Sequence, residues 1–194
     1  MKRLFIAVPI DEKVRMQIVR GILHDVTLQK MPVRWTTFEN LHLTMQFLGD
    51  VEEKRIAALR GIIDALPLPE RDEYLEFTAA GAFPNRNEPR ILWLGIRENR
   101  FLQLIRREMT TALQRQGFEA DRKPFRPHLT LGRVKNNAVL PDGALDYLIQ
   151  AAEKNAAGRS PLDRVTLFES RLRQSGPIYS KCYERIFRQE YSVS

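Results

Sequence analysis

Two copies of a His-Leu-Thr pattern contain the residues best suited to chemistry. One occupies residues 42–45 in the stretch ENLHLTMQFLGD, and the other occupies residues 128–131 in the stretch RPHLTLGRVK. Together they use two of the three histidines in the chain. Because alternate side chains of a strand point to opposite faces, each histidine should share a face with the threonine two positions later. The apolar residues between them should anchor the strand from behind.

Two histidines and two threonines that meet in one cleft could catalyse displacement at phosphorus. His42 and His128 can act as a general acid and a general base, because the pKa of histidine lies near neutral pH. The hydroxyls of Thr44 and Thr130 can donate hydrogen bonds to the two non-bridging oxygens of a phosphodiester. The pattern leaves open which histidine is the acid, because the expected site is nearly symmetric.

The same residues argue against a metal ion. Two histidines and two threonines provide too few good ligands, since structural zinc usually takes four from Cys, His and carboxylate side chains. The single cysteine, Cys182, excludes both a multi-cysteine metal site and an internal disulfide. We therefore expect no metal and no other cofactor.

The charge distribution predicts an anionic ligand near the second motif. The chain carries a formal net charge of +7 at pH 7. Most of the excess lies in residues 98–194, and the stretch DRKPFRPHLTLGRVK is strongly basic after its single aspartate. A basic stretch around a histidine motif is typical of phosphate or nucleic-acid binding.

The elements that must position the motifs recur in one order. After a first strand at residues 3–9, each half is predicted to contain a helix, the histidine strand, a second helix and two strands. The predicted ranges are 11–29, 41–48, 52–65, 74–80 and 90–96 in the first half, then 98–116, 128–134, 142–156, 164–172 and 181–188. The turn-rich stretches GAFPNRNEP and RQSGPI separate the last two strands of each half.

This repeat predicts two α+β lobes related by a pseudo-twofold axis. No Gly/Ser linker divides residues 1–194, so we expect a single compact domain whose lobes face each other across a cleft. The apolar run in MKRLFIAVPI is too short for a secretory signal, and no run approaches the length of a membrane-spanning helix. We expect a cytoplasmic protein without a membrane partner.

The two motifs resemble the paired H-x-T-x motifs of the 2H phosphoesterase superfamily. The wider sequence is similar to its RNA 2′,3′-cyclic phosphodiesterase branch, also described as 2′-5′ RNA ligase. The likeness spans nearly the whole chain and includes RLFIAVPI, VRWTTFENLHLTMQFLGDV, GAFPNRNEPRILWLGI, FRPHLTLGRV and ESRLRQSGPIYS.

The resemblance implies a bilobal α+β fold in which two antiparallel sheets face a central cleft and helices lie outside. It also implies metal-independent hydrolysis of an RNA 2′,3′-cyclic phosphate, or of a cyclic nucleotide, to a 2′-phosphomonoester by a monomer. The family assigns the proton donor to His42 and the proton acceptor to His128, with Thr44 and Thr130 on the phosphoryl oxygens.

The fifth position after each histidine breaks the symmetry, with Phe47 in one half and Arg133 in the other. Proteins stack unpaired RNA bases on aromatic rings and guanidinium planes, so we expect the terminal base to lie between them. Strict alternation would turn both away from the histidines, so a bulge is required, which Gly49 and Gly132 would allow. Arg126 shares the parity of His128 and could attract phosphate.

Three other functions compete with this hypothesis. A non-catalytic module for binding RNA ends would use the same cleft but would not need both imidazoles. The 2′-5′ ligation of RNA reverses the opening of the cyclic phosphate, so the same residues would serve it. Metal-dependent hydrolysis would require a metal, and full activity in EDTA would exclude it.

Overall fold

The computed structural model describes residues 1–119, 124–155, 158–174 and 176–187. Some predicted features therefore lie outside the described residues, namely 121–123 of the basic stretch, residue 156 of a predicted helix and residue 188 of a predicted strand.

The described chain alternates short helices with antiparallel strands. The helices are α1 (Glu12–Ile18), which continues as a π-helical turn (Val19–Leu23), α2 (Val26–Gln29), α3 (Ile56–Asp64), α4 (Arg100–Arg115) and α5 (Ala144–Asn155). The strands are β1 (Lys2–Pro9), β2 (Val33–Trp35), β3 (His42–Val51), β4 (Tyr74–Phe83), β5 (Ile91–Ile96), β6 (His128–Val134), β7 (Arg159–Pro161), β8 (Arg164–Arg173) and β9 (Gly176–Ile186).

Each predicted element overlaps an observed one, with two differences in the strands. The short strands β2 and β7 were not predicted, because three residues are too few to show a period. The predicted turn RQSGPI is wrong in extent. β8 continues to Arg173 and β9 restarts at Gly176, so the hairpin stays paired almost to its tip.

The strands follow the order β7-β4-β5-β6-β3-β1-β8-β9, and β2 also pairs with β6. The central neighbours β3 and β6 meet at one register pair, Leu43 with Leu129. This contact divides the order into the His42 sheet group (β3, β1, β8 and β9) and the His128 sheet group (β6, β5, β4 and β7). We infer that the two groups are the lobes of a single domain.

Each sheet group combines strands from both halves of the chain. β1 lies between β3 and β8, and β5 lies between β6 and β4, so β1 corresponds to β5 and β8 to β4. The helices are shared in the same way, because α5 packs against β4 and the π-helical turn, whereas α3 packs against α4 and β9. The repeat therefore begins one strand earlier than the sequence pattern indicated.

Apolar residues behind the motif strands form a continuous core. Leu43 and Leu129 are fully buried, and so is the predicted apolar stripe of α4. Burial of such side chains is the main favourable term in folding. Among the described residues, no helix is both long and apolar enough to cross a membrane.

Candidate active site

Each motif strand begins at its histidine and places alternate side chains on opposite faces. Along β3, His42 and Thr44 are half-buried while Leu43 is fully buried, and β6 repeats this pattern from His128 onward. The polar pairs therefore stand on the face turned away from the apolar core, as the alternation predicted.

A β-bulge follows each threonine at the same position. The register of β3 with β1 skips Met45, and the register of β6 with β5 skips Leu131. A bulge shifts the alternation of side chains by one residue. As a result, Phe47 and Arg133 line the cleft on the same face as the motif threonines.

The two glycines expected to permit these bulges have other roles. At Gly132, an added Cβ would lie 2.6 Å from Val33 Cγ1, so the missing side chain lets β2 pair closely with β6. Gly49 follows a second register shift in β3 and has a φ of +67°, which favours glycine.

Backbone carbonyls orient both imidazoles. His42 Nδ1 donates a hydrogen bond to the Asn40 carbonyl at 2.8 Å, and His128 Nδ1 donates to the Arg126 carbonyl at 2.7 Å. Since these bonds keep the proton on Nδ1, the neutral form of each ring has its lone pair on Nε2. Nε2 is therefore the nitrogen available for proton transfer.

The first motif carries two further polar contacts. His42 Nε2 lies 3.0 Å from Thr44 Oγ1, so the hydroxyl can donate to the neutral ring. Asn40 is also fixed, because its Nδ2 donates to the Pro177 carbonyl at 2.9 Å. Among the contacts of the described residues, the second motif has no matching bond between its histidine and its threonine.

Aromatic rings surround His42. The Phe5 ring lies 4.9 Å from the imidazole, and Tyr179 packs edge-on at 5.2 Å between ring centroids. Phe168 lies 6.3 Å away. These rings come from β1, β9 and β8, and they shield the imidazole from water.

The rings around His128 come from the corresponding strands of the other sheet group. Phe83 of β4 packs edge-on at 5.0 Å, and Trp93 of β5 lies 6.5 Å away. Phe83, opposite Ile91, corresponds to Phe168, opposite Phe5. Trp93 lies opposite Thr130 and so matches the register position of Ala7, which lies opposite Thr44. The pseudo-twofold relation therefore includes the histidines and the ring pair Phe83 and Phe168, whereas β1 and β5 place their rings at different register positions.

This enclosure affects the protonation of both histidines. Burial lowers the pKa of His42 to about 4, the Asn40 carbonyl opposes this shift, and the charge of His128 adds to it. Burial also lowers the pKa of His128, opposed by the Arg126 carbonyl and reinforced by the charge of Arg133. Both rings are therefore mainly neutral at pH 7 in the unliganded protein, and they lie close enough for their charges to interact.

A cleft of about 670 Å³ brings most of the predicted site residues together. Those that line it are Thr44, Thr130, His128, Phe47, Arg126 and Arg133. Four arginines line the cleft, and none of the described lining residues is acidic. The cleft is therefore suited to an anion.

His42 is placed differently from the other predicted residues. It lines a smaller depression of about 230 Å³, together with Arg15 and Glu184. It connects to the main cleft through its hydrogen bond to Thr44 and through its electrostatic interaction with His128. The His42 imidazole therefore lies beside the main cleft, whereas Thr44 of the same motif lines it.

Potential metal ligands are sparse near the cleft. Within the described ranges, no group of three or more His, Cys, Asp or Glu side chains is arranged to hold a metal ion. The polar side chains that line the cleft instead include two hydroxyls, the His128 imidazole and guanidinium groups.

The aromatic rings around the histidines were not predicted from the sequence. Phe5, Phe83, Trp93 and Phe168 lie far from the motifs in sequence, and their approach depends on strand pairing. A weak signal was present, because each lies in a predicted strand or beside one. These rings reach the histidines because β1 pairs with β3 and β5 pairs with β6.

Comparison with known proteins gives a consistent result. Residues 10–93 and 94–179 each match a family model described as LigT-like phosphoesterase. An Archaeoglobus fulgidus protein named RNA 2′,3′-cyclic phosphodiesterase is 32% identical over 178 residues, covering 91% of this chain and 96% of that protein. A Thermotoga maritima protein of the same name is 30% identical, covering 94% of each.

The fold also has solved counterparts. The crystal structure of a Thermus thermophilus protein superposes with a TM-score of 0.76 at 24% identity, covering 97% of this chain and 100% of that one. This similarity extends over both sheet groups, and it shows an open sheet arrangement with two repeated halves.

Proposed function

The chain belongs to the LigT-like phosphoesterase family, and we propose that it hydrolyses 2′,3′-cyclic phosphate ends of RNA to 2′-phosphomonoesters. The main support is the pair of motifs at the cleft. In each motif a backbone carbonyl accepts a hydrogen bond from the imidazole Nδ1, and a threonine hydroxyl follows two residues after the histidine. The names of the relatives support a cyclic phosphodiesterase.

In the proposed reaction, the two histidines act on opposite sides of the phosphorus. His128 Nε2 accepts a proton from the attacking water, and protonated His42 donates its Nε2 proton to the departing 3′-oxygen. The bond from phosphorus to the water oxygen forms while the bond to the 3′-oxygen breaks. The products are a 2′-phosphate and a 3′-hydroxyl. The family resemblance supplies this direction.

The surroundings of His42 suit the role of acid. A lowered pKa makes the protonated imidazole a strong proton donor, although it is sparsely populated at neutral pH. A bound phosphodiester anion favours the protonated ring, since an opposite charge nearby raises the pKa of histidine. Thr44 and Thr130 would donate to the non-bridging oxygens as charge develops there.

We assign the terminal base to the space between Phe47 and Arg133. The Phe47 side chain is 60% exposed although it is large and apolar, and its ring lies 5.9 Å from Phe5 at the wall of the cleft. Arg133 is exposed and lines the same cleft. Its charge partly offsets the rise that burial causes in the pKa of Tyr179, the residue that packs edge-on to His42. An exposed ring and an exposed guanidinium are suited to stacking on a base.

Loss of stacking should raise KM more than it lowers kcat. For Phe47→Leu, we expect KM to rise about tenfold, because base stacking on an aromatic ring contributes ~1–3 kcal/mol. Steady-state kinetics on adenosine 2′,3′-cyclic phosphate would measure this change. Ribose 2′,3′-cyclic phosphate, which has no base, should show the same KM for wild type and variant. A similar rise with both substrates would contradict the assignment.

The proposed reaction predicts a single product from a short RNA that ends in a 2′,3′-cyclic phosphate. In excess EDTA, we expect complete conversion to the 2′-phosphate isomer, because the residues at the site need no metal for proton transfer. Chromatography that separates 2′- and 3′-phosphates would identify which bond breaks. Formation of the 3′-phosphate would reverse the assigned direction.

Two other outcomes would point to the competing functions. Tight binding of the RNA without turnover would indicate a module that binds RNA ends. A longer product, formed only when an RNA with a 5′-hydroxyl is added at high concentration, would indicate 2′-5′ ligation. Activity that disappears in EDTA and returns with a divalent cation would indicate metal-dependent hydrolysis.

A further inference from the structure

Arg90 and Arg133 line the cleft, and Arg34 lies beside Arg133 on the neighbouring strand. Arg34 and Arg133 lie directly opposite each other where β2 pairs with β6, and both are exposed. Residues in such a pair share a face, and like charges there repel. Arg90 lies on the side of β6 opposite β2, where its carbonyl accepts a hydrogen bond from Val134 N at 3.0 Å. Arg90 also lines the cleft. We call Arg34, Arg90 and Arg133 the arginine cluster.

The positive charge of the arginine cluster is not balanced locally. Among the described residues, no acidic side chain forms an ion pair with any of its members. Other exposed arginines do have such partners, for example Arg97, whose Nε lies 3.0 Å from Glu76. An anionic ligand would relieve the repulsion between these arginines.

The reacting phosphate is assigned to a different part of β6. It lies at Thr44, Thr130 and the histidines, and Arg133 is three positions after Thr130 along β6. At ~3.3 Å per strand residue this separation is roughly 10 Å, somewhat less because of the bulge at Leu131. Arg34 lies a further strand spacing of ~4.8 Å away. The cluster is therefore suited to a second anionic group.

We propose that the arginine cluster binds the internucleotide phosphate on the 5′ side of the terminal nucleotide. This inference rests on the proposed function, and it identifies the substrate class as oligoribonucleotides in preference to mononucleotides. The face of the Arg133 guanidinium can stack on the base while the N–H groups at its edge reach the phosphate. Arg34 of β2 and Arg90, which precedes β5, then complete the site.

The test compares three ligands that need no turnover. They are adenosine 2′-phosphate, the dinucleotide ApA with a 2′-phosphate end, and the same dinucleotide with a neutral methylphosphonate linkage. We expect wild type to bind the methylphosphonate about tenfold more weakly than the natural dinucleotide, with a salt slope lower by about 0.7. In the double variant Arg34→Ala/Arg90→Ala, the natural dinucleotide should weaken about tenfold, and the other two ligands less than twofold.

Two further variants separate specific from general effects. Arg20→Ala removes an exposed arginine of the π-helical turn, and it should leave all three dissociation constants unchanged. Arg126→Ala removes a cation beside the reacting phosphate, so it should weaken all three ligands alike and lower their salt dependence.

The inference is overturned if the double variant loses affinity equally for the three ligands, or for none of them. Equal losses would mean general attraction, and no loss would mean that the cluster lies outside the RNA path. Because these are binding measurements, they remain informative if cyclic phosphate hydrolysis fails. A failure of the proposed function would appear separately, as absence of the 2′-phosphate product.

Discussion

Replacing either motif histidine with alanine is expected to lower kcat by about 10³-fold, because each acid–base group contributes ~10²–10⁴-fold. His42→Ala removes the proposed proton donor, and His128→Ala removes the proposed acceptor. The double variant should be little slower than either single variant, since the two groups act in one displacement step. Single-turnover rates on an RNA with a 2′,3′-cyclic phosphate end would measure all three losses without interference from product release.

The pH dependence provides a second readout of the histidine pair. Activity requires one protonated and one neutral imidazole, so kcat/KM should follow a bell-shaped profile. Burial lowers the pKa of both rings, and His42 is lowered to about 4. The maximum of kcat/KM should therefore lie below the ordinary histidine pKa of ~6.5. Above it, activity falls as the pair loses its single proton. Below it, activity falls as the second imidazole becomes protonated.

The third histidine provides a matched control. His24 is exposed at the end of the π-helical turn, away from the motif strands, and His24→Ala should keep full activity and the same pH profile. Small losses from His42→Ala and His128→Ala that multiply in the double variant would rule out a paired mechanism. An optimum well above pH 7 would contradict the effect of burial on their pKa values.

The threonine hydroxyls are expected to have the next largest effect. Thr44→Val and Thr130→Val keep the shape of the side chain and remove the hydrogen-bond donor. Each should lower kcat by about 10²-fold with little change in KM, because a donor aimed at developing charge acts mainly in the transition state. Steady-state kinetics would separate the two parameters, and Thr44→Ser and Thr130→Ser should restore most of the rate.

The two threonine variants should differ in their effect on pH dependence. Thr44 Oγ1 lies 3.0 Å from His42 Nε2, so Thr44→Val also changes the surroundings of that imidazole. We expect the pH profile of kcat/KM to shift for Thr44→Val and to stay in place for Thr130→Val. Thr27→Val, at an exposed position in α2, is the matched control. A larger rise in KM than fall in kcat would assign the hydroxyls to ground-state binding.

The parts of the site that the sequence predicted depend on local alternation. His42 and Thr44 share a face because strand side chains have a period of two, and this holds whichever strand lies beside them. The position of Phe47 required one further condition, a bulge, and the observed register provides it at Met45. Local alternation was therefore sufficient for the motif residues, whereas the positions of Phe47 and Arg133 also depend on pairing with β1 and β5.

The remaining features depend on contacts between distant parts of the chain. Phe5 contacts His42 only because β1 pairs with β3. Arg34 lies opposite Arg133 only because the three-residue strand β2 pairs with β6. Strand register is set by core packing over the whole sheet, which a short stretch of sequence does not reveal. For the same reason, the sequence pattern indicated a repeat but not the sharing of strands between its halves.

Because each sheet group contains strands from both repeats, the two repeats contact each other as two subunits of a dimer would. Each repeat supplies a histidine strand to one sheet group and a later strand, β4 or β8, to the other. A protein built from one repeat would lack that strand, and two copies could supply it to each other across a twofold axis, as domain-swapped dimers do. In a fused chain the two copies need not be identical, and here they differ at Phe47 and Arg133. A homodimer, in which both copies must stay identical, could not hold a base between two different side chains at equivalent positions.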